Sequence, residues 1–375
     1  MSAAEPAAEL LERVARVAAA AREAELDALL LTGAVAVRYA TAFTGSSGVA
    51  LIGGDGGASE PSRHRFITDF RYATQASEEV PEEFARDVVA DNLLEGVAQA
   101  LGTAGGRLGF LEKNLTVAEH TRLRELIAAQ WELVPSGELL ERLRMVKDAG
   151  EIAAIRAAAE LADDAMRTVL DRGLAGRSER AVALELEEEM RRRGADGPSF
   201  PTIVAAGAHA ALPHAKPRER EIPRDVLVTI DWGALHEGYC SDCTRTYATG
   251  EAIDERAREV YEVVRAAQAR AVEAVRPGAS TLALDGVARS HIEAAGYGER
   301  FGHGLGHGVG LEVHEGPRLS RTAPDQPLRS GNVVTVEPGV YLPDELGVRI
   351  EDLLVVTEPG HEVLSALPRE LTVIS

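Results

Sequence analysis

Four carboxylates at mirrored positions carry the strongest chemical signal in this chain of 375 residues. Asp231 and Asp242 lie in VLVTIDWGALHEGYCSDCTRTYA, and Glu337 and Glu351 in NVVTVEPGVYLPDELGVRIEDLLVV. Each stretch has β-branched residues on both sides of a turn-prone centre, which predicts a β-hairpin. Asp231 and Asp242 are equidistant from the point between His236 and Glu237, and Glu337 and Glu351 from Asp344. With each turn at its centre, the acids of a pair face each other across the strands. Opposed like charges destabilise a sheet, so building the arrangement twice suggests a cation between them. Four carboxylates and one imidazole suffice to hold two divalent metals. A lone acid is usually a solvated residue or a helix cap; these four are flanked by Val, Ile and Thr rather than by charges.

The imidazole comes from FGHGLGHGVGLEVHE, residues 301–315. His303 and His307 are spaced i, i+4, but Gly302, Gly304, Gly306, Gly308 and Gly310 argue against a helix, each costing up to ~1 kcal/mol relative to alanine. An extended strand puts His303, Leu305, His307, Val309 and Leu311 on one face. The glycines then line the other, where a second backbone can approach closely. Parity alone does not separate His303 from His307. The run is not a phosphate cradle, because such a loop must follow a strand and open a helix, and no Gly-Lys-Ser/Thr is present.

Composition bounds the partners. The net charge of −20 argues against nucleic acid, which needs a basic face, and against anionic membrane surfaces. No apolar run approaches the roughly 20 residues that span a bilayer, and the N-terminus lacks a charged-then-apolar leader. A cytoplasmic location is expected. Hydrophobic residues make up 45% of the chain, enough for a large core. The only cysteines, Cys240 and Cys243, exclude a disulfide scaffold. On a strand, i and i+3 point to opposite faces, so the two read as ordinary strand cysteines.

The pattern of elements changes near residue 138. Residues 1–137 alternate helix and short strand, as in an α/β domain. An amphipathic helix is expected from about Pro6 to Glu25, strands at Ala28–Thr32, Gly48–Ile52, Arg65–Thr68, Leu108–Leu111 and Leu133–Val134, and helices at Tyr72–Glu78, Glu95–Leu101 and Val117–Ala129. GGDGGASEPSRH reads as a flexible loop. Residues 138–375 open with helices at Glu138–Met145, Glu151–Asp171 and Glu179–Arg193, followed by the aspartate hairpin. Helices at Asp254–Arg276 and Leu282–Ala295 precede the glutamate hairpin. The order helix, helix, hairpin occurs twice, which predicts an α+β catalytic domain with an internal pseudo-twofold duplication, each half bringing one acid pair.

IDWGALHEGYCSDCTRT, GHGLGHGVGLEVHEGP, VEPGVY and VRIED together resemble the pita-bread metallopeptidases, which include Xaa-Pro dipeptidase (prolidase), aminopeptidase P and methionine aminopeptidase. The resemblance extends through FPTIVAAGAHAALPHAKP and LRMVKDAGEIAAIRAAA. YATAFTGSSGVALI and ITDFRYATQA resemble the accessory N-terminal domain of the creatinase and prolidase branch. The resemblance implies that Asp231 chelates one metal, that Asp242 and Glu351 bridge both, and that His307 and Glu337 bind the other. Glu337 would also handle the proton of a hydroxide bridging the metals. His214 matches a histidine near the scissile bond. His303 and His314 match histidines that line the substrate site and steady the tetrahedral intermediate, and Arg349 an arginine beside the bridging acids. Thr244 and Thr335 are candidates for supporting the ligands. Two divalent ions are implied; an oxygen-rich shell with one imidazole suits Mn²⁺, and Co²⁺, Zn²⁺ or Fe²⁺ also fit. The substrates implied are short proline-containing peptides cleaved between the N-terminal residue and proline, and a homodimer is implied by the same likeness.

Two departures stand out. Phe70 replaces the glycine often found in TDFRY, and an asparagine often precedes the PH segment, where this chain has GAHAALPH with His209, read as a loop residue, nearby. A metal-free creatinase-like enzyme is disfavoured because all five ligands are present. A non-catalytic binding protein on the same fold is disfavoured for the same reason. Methionine aminopeptidase-like activity is disfavoured because minimal forms lack the accessory domain. A dinuclear phosphoesterase would want more basic residues than Arg349 alone.

Overall fold

The computed structural model describes residues 7–53, 64–90 and 92–374. Most of the GGDGGASEPSRH loop lies outside them. The chain divides into two compact units, Met1–Leu143 and Arg144–Ser375. Among the described residues no helix is long and apolar enough to cross a membrane.

The first unit is built on six strands, β1 (Ala28–Leu31), β2 (Gly48–Gly53), β3 (His64–Asp69), β4 (Phe84–Val89), β5 (Gly106–Phe110) and β6 (Trp131–Pro135). They form a mixed sheet in the order β4-β3-β2-β1-β5-β6. Helices α1 (Ala7–Glu23), α2 (Ala34–Thr41), α3 (Ala73–Glu79), α4 (Leu93–Leu101) and α5 (Val117–Leu126) accompany the sheet. The central strand ALLL is buried throughout, as a strand covered on both faces must be. Leu30, Leu51, Ile67, Val97, Leu108 and Leu123 belong to one core. α5 starts in a capping box, Thr116 with Glu119, which satisfies two otherwise orphaned N–H groups. Two elements were not expected. α2 is AVAVRYAT, whose valines favour strand over helix. β4 is FARDVV, a part-exposed strand at the sheet edge.

α6 (Leu139–Arg144) spans the division. The second unit then repeats one order of elements. α7 (Ala149–Leu170) and α8 (Glu179–Arg192) are followed by β7 (Gly197–Pro198), β8 (Ile203–Ala206), β9 (Leu227–Trp232), β10 (Ala234–His236), β11 (Tyr239–Cys240) and β12 (Cys243–Ala248). α9 (Glu255–Ala274) and α10 (Thr281–Ala294) are followed by β13 (Gly306–Gly308), β14 (Glu315–Leu319), β15 (Val333–Val336), β16 (Gly339–Leu342), β17 (Leu346–Arg349), β18 (Asp352–Thr357) and β19 (Gly360–Val363). Each half has its own core. Met166, Val182, Leu186, Val228, Ile230 and Trp232 pack in the first; Val260, Val264, Leu284, Val334, Val336 and Leu354 pack in the second. This is the duplicated pita-bread arrangement.

Strand alternation explains how each hairpin presents acids. On β9, Val228, Ile230 and Trp232 point into the first core, so Thr229 and Asp231 take the opposite face. On β15, Val334 and Val336 point into the second core, and Thr335 and then Glu337 fall on the other side. Burying Val228 or Ile230 contributes ~1.5–3 kcal/mol each, against ~0.2–1 kcal/mol for an unfavourable cross-strand pair. The apolar face therefore fixes the hairpins and forces the acids together on the far side.

The two registers differ from each other. In the glutamate hairpin Val336 pairs with Asp352 and Gly339 with Arg349. Continuing that register sets Glu337 opposite Glu351, with the turn at Asp344 as expected. In the aspartate hairpin His236 pairs with Tyr239, and Asp231 pairs with Thr244 rather than with Asp242. The turn lies at Glu237-Gly238, one residue beyond the expected centre, because both residues take positive φ (47° and 77°). Asn-Gly and Asp-Gly are the usual two-residue turns of this kind; here Glu-Gly serves.

Candidate metal centre

The histidine run is extended, as the glycines required, although the strand itself is only Gly306–Gly308. A Cβ on Gly306 would stand 2.0 Å from the Thr335 carbonyl oxygen, so only glycine lets the two backbones meet. The same approach lets the His307 N–H donate to Thr335 Oγ1 at 3.1 Å. His307 Nδ1–H donates to the Gly308 carbonyl at 3.1 Å. That fixes the tautomer and leaves Nε2 facing the acids, 3.1 Å from Glu337 Oε1 and 3.6 Å from Asp242 Oδ2. His303 has no such freedom. Its Nδ1–H donates to the Gly304 carbonyl at 2.8 Å, and its Nε2 accepts from Tyr341 Oη at 2.9 Å.

Donor atoms of Asp242, His307 and Glu351 lie within 4.8 Å of one another. Asp231 and Glu337 border this group. Asp231 Oδ2 accepts from Arg349 Nη2 at 2.6 Å. Glu351 Oε2 accepts from Thr244 Oγ1 at 2.6 Å, and that hydroxyl accepts from Arg349 Nε at 3.0 Å. Thr335 Oγ1 donates to Glu337 Oε1 at 3.2 Å. Each threonine thus holds one oxygen of an acid. The second oxygens, Asp231 Oδ1 and Glu351 Oε1, are buried and accept no hydrogen bond among the described residues.

The charges do not balance within the chain. Burial pushes Asp242 and Glu351 well above the usual carboxylate range, and the neighbouring acids push them further. Burial also raises Asp231, with Arg349 pulling against it. Burial would raise Glu337 too, but the His307 hydrogen bond and charge outweigh it and bring it to about 2. For His307, burial opposes the proton, and the Glu337 hydrogen bond reverses the balance and raises it. Arg349 and one imidazole are thus set against four acids. Two divalent cations would supply the missing charge and occupy the two orphaned oxygens, so the residues fit a dinuclear metal site.

The remaining candidates lie around this cluster. The His314 ring is 4.3 Å from the His307 ring, with His314 exposed. His214 is also exposed, and its charge bears on both His303 and His314. Arg349 is almost fully buried and donates from Nη1 to the Pro213 carbonyl at 3.3 Å and to Tyr341 Oη at 2.9 Å. His209 is no metal neighbour. It is buried on a 3₁₀ turn, Gly207–Ala211, with Nδ1 2.9 Å from Glu179. Cys240 and Cys243 are free and buried.

Several contributors were not among the expected residues. Tyr341 links Arg349 to His303, and it has the strand parity of Glu337, so extending that face would have found it. Asp285 and Arg289 clamp the His303 segment: Asp285 accepts the Leu305 N–H at 3.1 Å, and Arg289 donates to the His303 carbonyl at 2.7 Å. Glu315, next to His314, is gripped by Arg144 and by Lys147 Nζ at 2.7 Å. No local sequence signal ties partners so far apart in the chain.

Comparison with known proteins agrees with this geometry. Residues 153–358 match metallopeptidase family M24, and residues 13–146 match the creatinase/prolidase N-terminal domain. An uncharacterised peptidase of Bacillus subtilis is 44% identical over 350 residues, 93% of this chain and 96% of that one. Among solved structures, an Xaa-Pro dipeptidase from Bacillus anthracis superposes with a TM-score of 0.90 at 39% identity, covering 97% of this chain and 99% of its own. An X-Pro aminopeptidase from Thermotoga maritima gives 0.86 at 35% identity, with 95% and 99% covered. The chain is a member of metallopeptidase family M24, carrying a creatinase/prolidase-type N-terminal domain.

Proposed function

We propose that this protein hydrolyses the bond between an N-terminal residue and proline in short peptides, using two divalent metals held by Asp231, Asp242, His307, Glu337 and Glu351. The observation that carries the reading is the grouping of Asp242, Glu351 and His307 Nε2, bordered by the part-buried Asp231 and Glu337, with two carboxylate oxygens left unpartnered among the described residues. The proline preference rests on the similar proteins named Xaa-Pro dipeptidase and X-Pro aminopeptidase. The oxygen-rich donor set favours Mn²⁺ over softer ions.

Bound there, the metals supply Lewis acidity that polarises a carbonyl and acidifies water. The chain's own groups do the rest. Glu337 is the proton carrier: its carboxylate sits at the edge of the cluster beside His307 Nε2, placed to take a proton from the attacking water and pass it to the leaving amine. That leaving nitrogen belongs to proline and must gain a proton as the C–N bond breaks in order to depart as a secondary amine, so the proton must be delivered. His303 is kept neutral by burial and by the hydrogen bond it accepts from Tyr341. His214 and His314 are the exposed donors available to a developing oxyanion. Arg349 orients Asp231, Thr244 and Tyr341 together.

Metal-stripped protein reloaded with Mn²⁺ is expected to cleave an Xaa-Pro dipeptide or an Xaa-Pro-Yaa tripeptide, and to leave an Xaa-Ala dipeptide of the same first residue largely intact. Comparing initial rates on the three decides between dipeptidase and aminopeptidase P-type action. Cleavage of the alanine peptide at an equal rate would remove the proline assignment.

A further inference from the structure

The loop that carries His214 is tied at its base by a buried pair that the reaction itself does not use. Ser178 caps α8, and the next residue, Glu179, turns its carboxylate inward with the side chain 3% exposed. Its two oxygens take three donors from one segment. Oε1 accepts the Ala206 N–H at 2.9 Å, Oε2 accepts the Arg218 N–H at 3.0 Å, and His209 Nδ1–H is shared between both at 2.9 Å. One carboxylate therefore joins the two ends of residues 206–218 and a point inside them. Charge-assisted bonds of this kind are stronger than neutral ones, and a buried carboxylate deprived of a donor cannot turn to water instead.

The same loop is seated against the metal-bearing hairpin. A Cβ on Gly347 would stand 1.8 Å from the Ala210 carbonyl oxygen, so the Gly207–Ala211 turn rests directly on β17. Two residues further along that strand, Arg349 donates to the Pro213 carbonyl. Ala210 and Ala215 pack with Ile203 and Ala205 in a small core beneath the loop. His214 stands exposed at the outer side, one residue past the arginine contact.

We propose that Glu179 and His209 form a latch that fixes the 206–218 loop and thereby positions His214 beside the metal centre. Both are positioning residues, since neither touches the reacting atoms. The inference rests on the peptidase reading only for its effect on rate; the latch itself is a statement about the loop. An asparagine amide at position 209 would also carry N–H donors for Glu179.

The test uses full-length protein with Mn²⁺ loaded. His209→Ala is expected to speed amide hydrogen exchange in residues 207–217 while leaving exchange on α7 and α9 and the bound Mn²⁺ unchanged. Misplacing a group by about 1 Å costs up to ~10²-fold, so kcat on an Xaa-Pro peptide should fall ~10–100-fold. His209→Asn is expected to restore exchange protection and most of the rate. In a His214→Ala background, His209→Ala should cost little more, because the latch acts through His214. Unchanged exchange in 207–217 would overturn the latch whatever the activity. An undiminished rate loss in the His214→Ala background would also overturn it. If His214→Ala itself leaves the rate intact, the role given to His214 fails, and the exchange result still decides whether the loop is latched.

Discussion

Asp242→Ala and Glu351→Ala are each expected to lose two-metal loading and nearly all peptidase activity, while the metal-stripped variants stay at least as stable as the metal-stripped parent. The first half follows from position. Asp242 and Glu351 share the tightest donor cluster with His307, and Glu351 Oε1 is free to bind because Thr244 occupies only Oε2. Removing a residue that merely supports a ligand costs ~10–100-fold; removing a shared ligand should cost more. The second half follows from crowding. Without metal each acid is buried beside three others and held above its usual range. A carboxyl raised in the fold favours folding below its unfolded pKa and loses that contribution as pH rises through the folded value. At neutral pH its removal therefore relieves the metal-free protein. Metal content by elemental analysis, set beside denaturant midpoints, separates the two effects. A variant that keeps two metals and full rate contradicts the bridging assignment.

Arg349→Ala should behave in the opposite way, destabilising the metal-free protein by about 3–5 kcal/mol, the range for breaking a buried ion pair. Arg349 is 4% exposed and serves Asp231, Thr244, Tyr341 and the Pro213 carbonyl at once. Its loss strips the acid cluster of its permanent counter-charge and leaves four buried or part-buried acceptors without that donor. Mn²⁺ should recover part of the stability, because metal at Asp231 replaces the lost positive charge, but not the rate, because Tyr341 Oη and the Pro213 carbonyl beside His214 each lose the arginine's hydrogen bond. Arg349→Lys should not restore function, since one ammonium cannot span the fork. Equal denaturation midpoints for parent and Arg349→Ala, measured without metal, would show that the arginine is not the counter-ion described.

Periodicity made much of the site legible. In the second hairpin the mirror spacing of Glu337 and Glu351 about Asp344 is the register of the folded strands. The first hairpin slipped by one residue at its centre, because the symmetry of the acids said nothing about Glu237 taking positive φ. Alternation placed His303 and His307 on one face but could not rank them. The difference lies in hydrogen bonds, with Tyr341 occupying His303 Nε2 while His307 Nε2 stays with the acids. Helices with strong caps were easy to read, as at Ser178 and Thr116. The short α2, rich in valine, was not. The clamps were hidden for a further reason: Arg144 with Glu315 and Glu179 with His209 are joined only once the sheets have formed.

The most direct measurement is anomalous diffraction from crystals of the Mn²⁺-loaded protein. The predicted result is two manganese peaks, typically ~3.5–4 Å apart in such centres, both within the group formed by Asp231, Asp242, His307, Glu337 and Glu351. A single peak, or peaks bound by other residues, would contradict the dinuclear centre on which the proposed hydrolysis depends.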